Sequence, residues 1–147
     1  MRELFRRHPD AGAYLSQPGI GDITGARILG ELGDDPGRCA TARARRNYAG
    51  TSPLTIQSGK KKTVHARYIR NGHLIDALHA QALSALTASP GARAFCDKLR
   101  ARGVGHDDAM RRAAGRLTGI LRGCVKTGTE YDETTAWAHR REPAQAA

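Results

Sequence analysis

Apolar residues recur every three or four positions along most of the chain, which is the spacing of amphipathic helices. Stretches in which apolar and polar residues alternate are scarce, and the best strand candidate is a short one near residues 54–57. The predicted helices cover about residues 10–16, 23–32, 41–49, 72–87, 92–102 and 107–126. This pattern predicts an all-α fold, in which two short helices joined by a tight turn precede a basic loop and a bundle of three longer helices.

The length of 147 residues suits a single domain with its own core. Residues 1–13 are expected to be an N-terminal remnant, with a frayed, polar and basic segment over residues 1–8. The main domain is predicted at residues 14–133. The chain turns polar after Thr127, and we expect a disordered tail over residues 134–147.

The positive charge of the chain is concentrated in one stretch. The formal net charge is +10, and no acidic residue occurs between Asp35 and Asp76. A solvated basic loop would explain such a run, but its length without one acid favours a surface that binds a polyanion such as nucleic acid. The basic residues of this stretch are Arg38, Arg43, Arg45, Arg46, Lys60, Lys61, Lys62, Arg67 and Arg70.

Composition disfavours several other kinds of protein. The three cysteines are far apart and form no C-x-x-C pair, so neither a disulfide framework nor a zinc site is expected. No stretch approaches the roughly 18 apolar residues of a membrane span, and no signal peptide follows Met1, which predicts a cytoplasmic protein with no membrane partner. The acidic residues lie outside the basic stretch and near predicted turns, so we expect neither metal ligands nor a cofactor in this chain.

The segment Pro18-Gly19-Ile20-Gly21 separates two of the predicted helices. A candidate helix-hairpin-helix formed around this turn would span about residues 16–33. Two glycines one residue apart let the backbone approach another molecule, and the next helix begins with unpaired N–H groups. Gly19 and Gly21 are therefore candidates for backbone contacts with a DNA phosphate, with Ile20 pointing inward. The segment resembles the helix-hairpin-helix of DNA-binding proteins, although a tight turn alone would have the same sequence.

The segment Gln57-Ser58-Gly59-Lys60-Lys61-Lys62 combines a hydroxyl with three ammonium groups. An accessible serine beside positive charge is what phosphoryl transfer to a hydroxyl requires. Ser58 is therefore a candidate nucleophile, and nearby Arg67 a candidate phosphate clamp. Most segments of this composition are solvated loops, and local chemistry alone favours that alternative.

An ordered set of motifs resembles the C-terminal domain of insertion-sequence-110-type transposases. The similar region runs from about Tyr14 to Glu133. Each motif is weakly specific, but their order is specific. The motifs are Pro18-Gly19-Ile20-Gly21, Arg46-Asn47-Tyr48-Ala49-Gly50-Thr51-Ser52-Pro53, Ser58-Gly59-Lys60, Arg70-Asn71-Gly72, the segment from Ala94-Phe95 to Gly103, and Thr129-Glu130-Tyr131-Asp132.

The resemblance implies a function in DNA transposition and recombination. It implies that Ser58 attacks a DNA phosphodiester and forms a phosphoserine linkage to DNA. Full-length members join this domain to an N-terminal RuvC-like domain whose acidic residues hold Mg²⁺, use an element-encoded guide RNA and are expected to form homo-oligomers. The residues expected to bind nucleic acid here are Gly19, Gly21, Arg43, Arg46, Lys60, Lys61, Lys62, Arg67 and Arg70.

The chain departs from the family pattern because only 13 residues precede the similar region, too few for a RuvC-like domain. We therefore expect a truncated copy that is inactive alone, with a fragment or a degenerate element as alternatives. The alternative is a non-enzymatic helix-hairpin-helix module that binds nucleic acid. A third interpretation is a basic helical protein whose partner is another protein.

Overall fold

The computed structural model describes residues 2–33, 41–52, 54–65 and 71–138, and these are mostly helical, as predicted for an all-α fold. In chain order the described elements are α1 (Arg2–Arg7), α2 (Ala11–Leu15), α3 (Asp22–Leu32), α4 (Ala42–Ala49), β1 (Leu54–Ser58), β2 (Lys61–His65), α5 (Gly72–Ala88), α6 (Pro90–Ala101), α7 (His106–Thr127) and α8 (Glu133–Ala136).

Helix α5 lies at the centre of the molecule and packs against α3, α6 and α7. Leu74 and Leu78 of α5 are fully buried, and they belong to the same core as Ile28 of α3 and Leu117 of α7. Burying each side chain of this size contributes about 1.5–3 kcal/mol. The three longer helices predicted from the apolar spacing thus form the core, with the short α3 packed against them.

The start of the chain is an ordered helix, so the expectation of a frayed segment over residues 1–8 was wrong. Phe5 of α1 is buried, and its ring lies 6.1 Å from the ring of Tyr14 in an edge-to-face arrangement. The Arg6 guanidinium makes two hydrogen bonds of 2.9 Å to the Asp22 carboxylate of α3. Helix α1 has six residues, of which Phe5 is buried, and one apolar position of this kind does not form a periodic pattern from which a helix could be predicted.

The basic loop is a β-hairpin rather than the mostly irregular segment that the sequence predicted. Strands β1 and β2 are antiparallel, with Ser58 paired to Lys61 and Gln57 to Lys62. Gly59 has a φ of 58°, which suits the left-handed conformation of a two-residue hairpin turn. The second strand escaped prediction because its first two residues are lysines, which are uncommon in strands.

The tail expected to be disordered over residues 134–147 is ordered over residues 134–138 of the described chain. Trp137 is 3% exposed, and its indole N–H donates a hydrogen bond of 2.9 Å to the Tyr131 hydroxyl. Its ring lies 5.8 Å from that of Phe95 in α6. One large aromatic side chain therefore holds the segment that was expected to be disordered. Residues 139–147 lie outside the described residues.

Candidate nucleic-acid interface

The turn between α2 and α3 is held against the central helix by its first glycine. Gly19 has a φ of 80°, and a Cβ atom at this position would lie 2.3 Å from the Gln81 carbonyl oxygen and 2.9 Å from the Ala85 nitrogen of α5. Ile20 is buried, as expected. Close packing against α5 therefore requires glycine at position 19 without any ligand, and a phosphate contact by Gly19 stays a prediction.

The second glycine of the turn faces open space. Gly21 is exposed, precedes the first residue of α3, and has nothing within 4 Å of the position of a Cβ atom. The neighbouring Asp22 is paired with Arg6, and this hydrogen bond lowers the pKa of the Asp22 carboxyl below its ordinary value. Because Arg6 offsets the charge of Asp22, the one acidic group beside Gly21 is less repulsive to an approaching anion.

Asn71 links three helices and thereby positions the arginine-bearing α4. Its side-chain amide donates to Glu31 Oε2 over 2.6 Å and to the Tyr48 hydroxyl over 2.8 Å. Its side-chain oxygen accepts from the Leu74 N–H over 3.0 Å and so caps α5. The backbone N–H of Asn71 also donates to the Tyr48 carbonyl over 2.9 Å. These bonds join the end of α3, the end of α4 and the start of α5.

A groove with a cavity volume of about 710 Å³ lies between α4, β2, α6 and α7. We call it the basic groove, because six of its lining residues carry a positive charge and none is acidic. The cationic lining residues are Arg45, Arg46, Lys62, Arg102, Arg112 and Arg116. The remaining lining residues are small, polar or apolar, and include Phe95 and Leu99.

Arg116 is held in a fixed orientation at one wall of the basic groove. Its guanidinium donates to the Ala136 carbonyl over 3.0 Å and lies 5.9 Å from the centre of the Trp137 ring. A cation over an aromatic face is attracted to it by roughly 0.5–2 kcal/mol. The C-terminal segment therefore supports the groove although it is distant from the basic stretch in sequence.

Asp108 is the acidic residue associated with this wall. It forms ion pairs with Arg111 and with Arg112, the latter at 3.0 Å. Although burial alone would raise it, the pKa of the Asp108 carboxyl lies below its ordinary value because of these two arginines. One carboxylate thus offsets part of the charge on two guanidinium groups, and the net charge around the groove stays positive.

Ser58 is not among the residues that line the basic groove. Ser58 and Lys61 are cross-strand partners, so their side chains share one face of the hairpin, while Gln57 and Lys62 share the other. Lys62 lines the groove, and the hydroxyl of Ser58 is therefore presented on the opposite face. Among these candidates, Ser58, Lys60, Lys61 and Lys62 are all exposed.

The predicted nucleic-acid contacts divide into three groups. Arg46 and Lys62 line the basic groove, whereas Arg43 is exposed on α4 and does not line it. Lys60 and Lys61 lie at the exposed tip of the hairpin. Arg67 and Arg70 lie outside the described residues.

Sequence reasoning missed the half of the groove that lies beyond the acid-free stretch. Arg112, Arg116 and Gly119 recur at a spacing of three or four residues, and Gly115 precedes Arg116, so the four residues lie on one face of α7, and all four line the groove. The two arginines one turn apart on this face were a signal that the sequence contained.

Among the residues that the structure describes, no group of three or more His, Cys, Asp or Glu side chains is placed to hold a metal ion. Within the same residues, no helix has the length and apolar character needed to cross a membrane.

Comparison with protein families identifies the domain. The model of the Transposase IS116/IS110/IS902 family matches residues 13–97, from the middle of α2 into α6. The chain belongs to this transposase family. The match covers the turn at Gly19, the basic stretch and the hairpin with Ser58, but ends before the arginines of α7.

Individual relatives of this transposase domain extend the similarity over nearly the whole chain. It is 41% identical to the mini-circle protein for IS117 of Streptomyces coelicolor, over 94% of this chain and 33% of that relative. It is 32% identical to an IS110 protein of the same organism, over 88% of this chain and 32% of the relative. An IS900 protein of Mycobacterium paratuberculosis is 31% identical over 94% of this chain and 35% of its own length. The chain thus spans about a third of the length of these relatives.

Proposed function

We propose that this transposase domain binds DNA through the basic groove and presents Ser58 as the nucleophile of DNA transposition and recombination. The observation that carries the proposal is the groove, which is lined by six cationic residues from α4, β2, α7 and the residue that follows α6, and by no acidic residue. Converging cations without acids attract a polyanion and release its condensed counterions on binding. Because the chain belongs to a transposase family, DNA is the polyanion that we propose for this groove.

The proposed reaction is an exchange of one phosphate ester for another. Ser58 Oγ attacks the phosphorus of a DNA phosphodiester and forms an Oγ–P bond, while the bond from phosphorus to the 3′ oxygen breaks. The serine proton is passed to the leaving oxygen, which becomes a 3′ hydroxyl. Lys61, the cross-strand partner of Ser58, is available on the same hairpin face to stabilise the charge on the phosphate.

The complete reaction is proposed for the longer proteins of the family, because this chain spans about a third of its relatives. In those proteins a RuvC-like domain would hold Mg²⁺, a guide RNA would select the DNA, and a homo-oligomer would bring the DNA ends together. We propose that this domain on its own binds DNA in the cytoplasm without completing transposition.

A second candidate function is a non-enzymatic nucleic-acid-binding module. The observation that favours it is the separation of the two sites, because Ser58 and Lys62 occupy opposite faces of the hairpin and only Lys62 lines the groove. Changing Ser58 to Ala distinguishes the two functions. In a full-length family member, loss of the aligned serine should abolish covalent protein–DNA adducts if the serine is the nucleophile, and leave adduct formation unchanged if it is not.

The groove itself is tested with two double variants of equal charge. Arg46→Gln with Arg102→Gln removes two cations that line the groove, while Lys98→Gln with Arg100→Gln removes two exposed cations of α6 that do not. We expect the first variant to weaken binding of duplex DNA about tenfold or more, and the second by less than about threefold. Equal losses would exclude the groove as the binding surface. Thermal unfolding of both variants serves as the folding control.

A further inference from the structure

The basic groove combines positive charge with an apolar floor. Phe95 and Leu99 of α6 are among its lining residues and form what we call the floor, and they are largely buried, at 8% and 7% exposure. The six cationic residues line the same groove. A surface that only follows a DNA backbone needs phosphate contacts and no apolar floor.

The floor is left open by one glycine of α7. Gly119 lines the groove, is exposed, and has nothing within 4 Å of the position of a Cβ atom. Gly115, which also lines the groove, is buried, and a Cβ atom there would lie 3.2 Å from Thr51 Oγ1. The backbone of α7 is therefore uncovered at Gly119, where a larger side chain would fill the groove.

The aromatic part of the floor is held rigidly. The ring of Phe95 lies 5.8 Å from that of Trp137 at an interplanar angle of 49°. Trp137 is in turn fixed by its hydrogen bond to Tyr131 and by Arg116 above its ring. A rigid apolar floor loses little conformational entropy when a flat ligand packs against it.

We propose that the basic groove holds one unpaired nucleotide of the bound nucleic acid. Its base packs on the floor of Phe95, Leu99 and Gly119, and its flanking phosphates contact the surrounding arginines. The volume of about 710 Å³ lies within the range of roughly 300–1,000 Å³ typical of small-ligand sites. Inserting a base from an intact duplex requires that the base be unpaired and unstacked, and the cost is least for a base that is already unpaired. This inference rests on the proposed function, because it requires that nucleic acid enters the groove.

The test compares a short duplex carrying one bulged 2-aminopurine with the fully paired duplex of the same sequence. Affinity is measured by anisotropy of a distant dye, and the fluorescence of 2-aminopurine reports the environment of the base. The full chain should bind the bulged duplex at least about fivefold more tightly, the lower end of what one stacked base contributes. Binding should also change the 2-aminopurine signal of the bulged duplex but not that of the paired duplex.

Two glycine variants of α7 form a matched pair. Gly119→Leu fills the floor of the groove, while Gly123→Leu adds the same side chain one turn further along, outside the groove lining. Both glycines are exposed, and neither has an atom within 4 Å of the position of a Cβ atom, so both variants should fold. Gly119→Leu should remove the preference for the bulge and retain binding of the paired duplex, and Gly123→Leu should behave as the parent.

The outcomes separate this inference from the proposed function. Binding of the paired duplex without any preference for the bulge would overturn the nucleotide site and leave DNA binding intact. A preference that survives Gly119→Leu would also overturn it. Failure of the parent to bind either duplex would contradict the proposed function as well.

Discussion

The side-chain amide of Asn71 donates a hydrogen bond of 2.6 Å to the carboxylate of Glu31, a residue 40 positions earlier in the chain. The same amide group donates to Tyr48 at the end of α4. Helix α4 carries Arg45 and Arg46 of the basic groove, and Tyr48 lies two residues after Arg46, so the position of these arginines depends on the polar contact that holds the end of their helix. A substitution of Asn71, which does not line the groove, should therefore affect it.

Asn71→Asp tests this contact with little change in shape. The substitution keeps an oxygen to cap α5 but replaces the donor to Glu31 with an acceptor, so two carboxylates would lie against each other. We expect the free energy of unfolding to fall by about 1–3 kcal/mol, as when a partly buried acceptor loses its donor. Chemical denaturation at neutral pH measures the change. Adding Glu31→Gln should restore most of the loss, and failure of this second substitution to restore stability would contradict the assigned role.

The two glycines of the α2–α3 turn should respond differently to alanine. Gly19→Ala places a Cβ atom 2.3 Å from the Gln81 carbonyl oxygen at a φ of 80°, and it should cost at least about 2 kcal/mol. Gly21→Ala adds a methyl group to open space at a φ of −105° and should cost less than about 1 kcal/mol. Thermal unfolding of the two variants provides the comparison. Equal stabilities would show that the turn does not pack against α5 as described.

Trp137 should be among the most sensitive positions for stability. Trp137→Ala removes a 3%-exposed side chain that packs on Phe95, and should cost about 3–5 kcal/mol. Trp137→Phe should cost less, because only the hydrogen bond to Tyr131 and part of the ring are lost. Leu4→Ala, at a site that is 73% exposed, is the control and should change stability by at most about 0.5 kcal/mol. An equally small effect of Trp137→Ala would mean that the C-terminal segment is not packed on the domain.

Acid should weaken the attachment of α1. The pKa of Asp22 is lowered in the folded protein, chiefly by its hydrogen bond to Arg6, from an ordinary value of 3.8. A lowered carboxyl pKa stabilises the folded state above the ordinary value, and this stabilisation is lost as the pH falls through the lowered pKa. The melting temperatures of the parent and of Arg6→Ala should therefore differ at neutral pH and converge below about pH 4. A difference that stays constant on acidification would contradict this linkage.

Much of the fold could be predicted because the buried residues follow the helical period. Ile28, Leu74, Leu78 and Leu117 lie on apolar faces that are visible in the sequence, and all four are in the core. Phe5 and Trp137 are buried too, but each is an isolated aromatic residue in a polar segment. Their burial depends on partners far away in the chain, so no local pattern could predict it.

About half of the cationic residues that line the basic groove could be predicted from the sequence. The acid-free stretch includes Arg46 and Lys62, which line the basic groove, because charge segregation is visible along a sequence. Arg102, Arg112 and Arg116 complete the groove from α6 and α7, and tertiary packing brings them there. Ser58 and Lys62 lie on opposite faces of the hairpin because of the pairing register of its strands, and the sequence did not predict this register.

The salt dependence of duplex DNA binding tests the central claim most directly. Each phosphate contact contributes about 0.9 to the slope of log affinity against log salt concentration. The double variant of Arg46 and Arg102 should therefore reduce the magnitude of the parent slope by about 1.8, while the double variant of Lys98 and Arg100 should change it by less than about 0.5. This result would establish the basic groove as the surface that holds the DNA backbone. Equal slope changes in the two variants, or a larger change in the control, would contradict it.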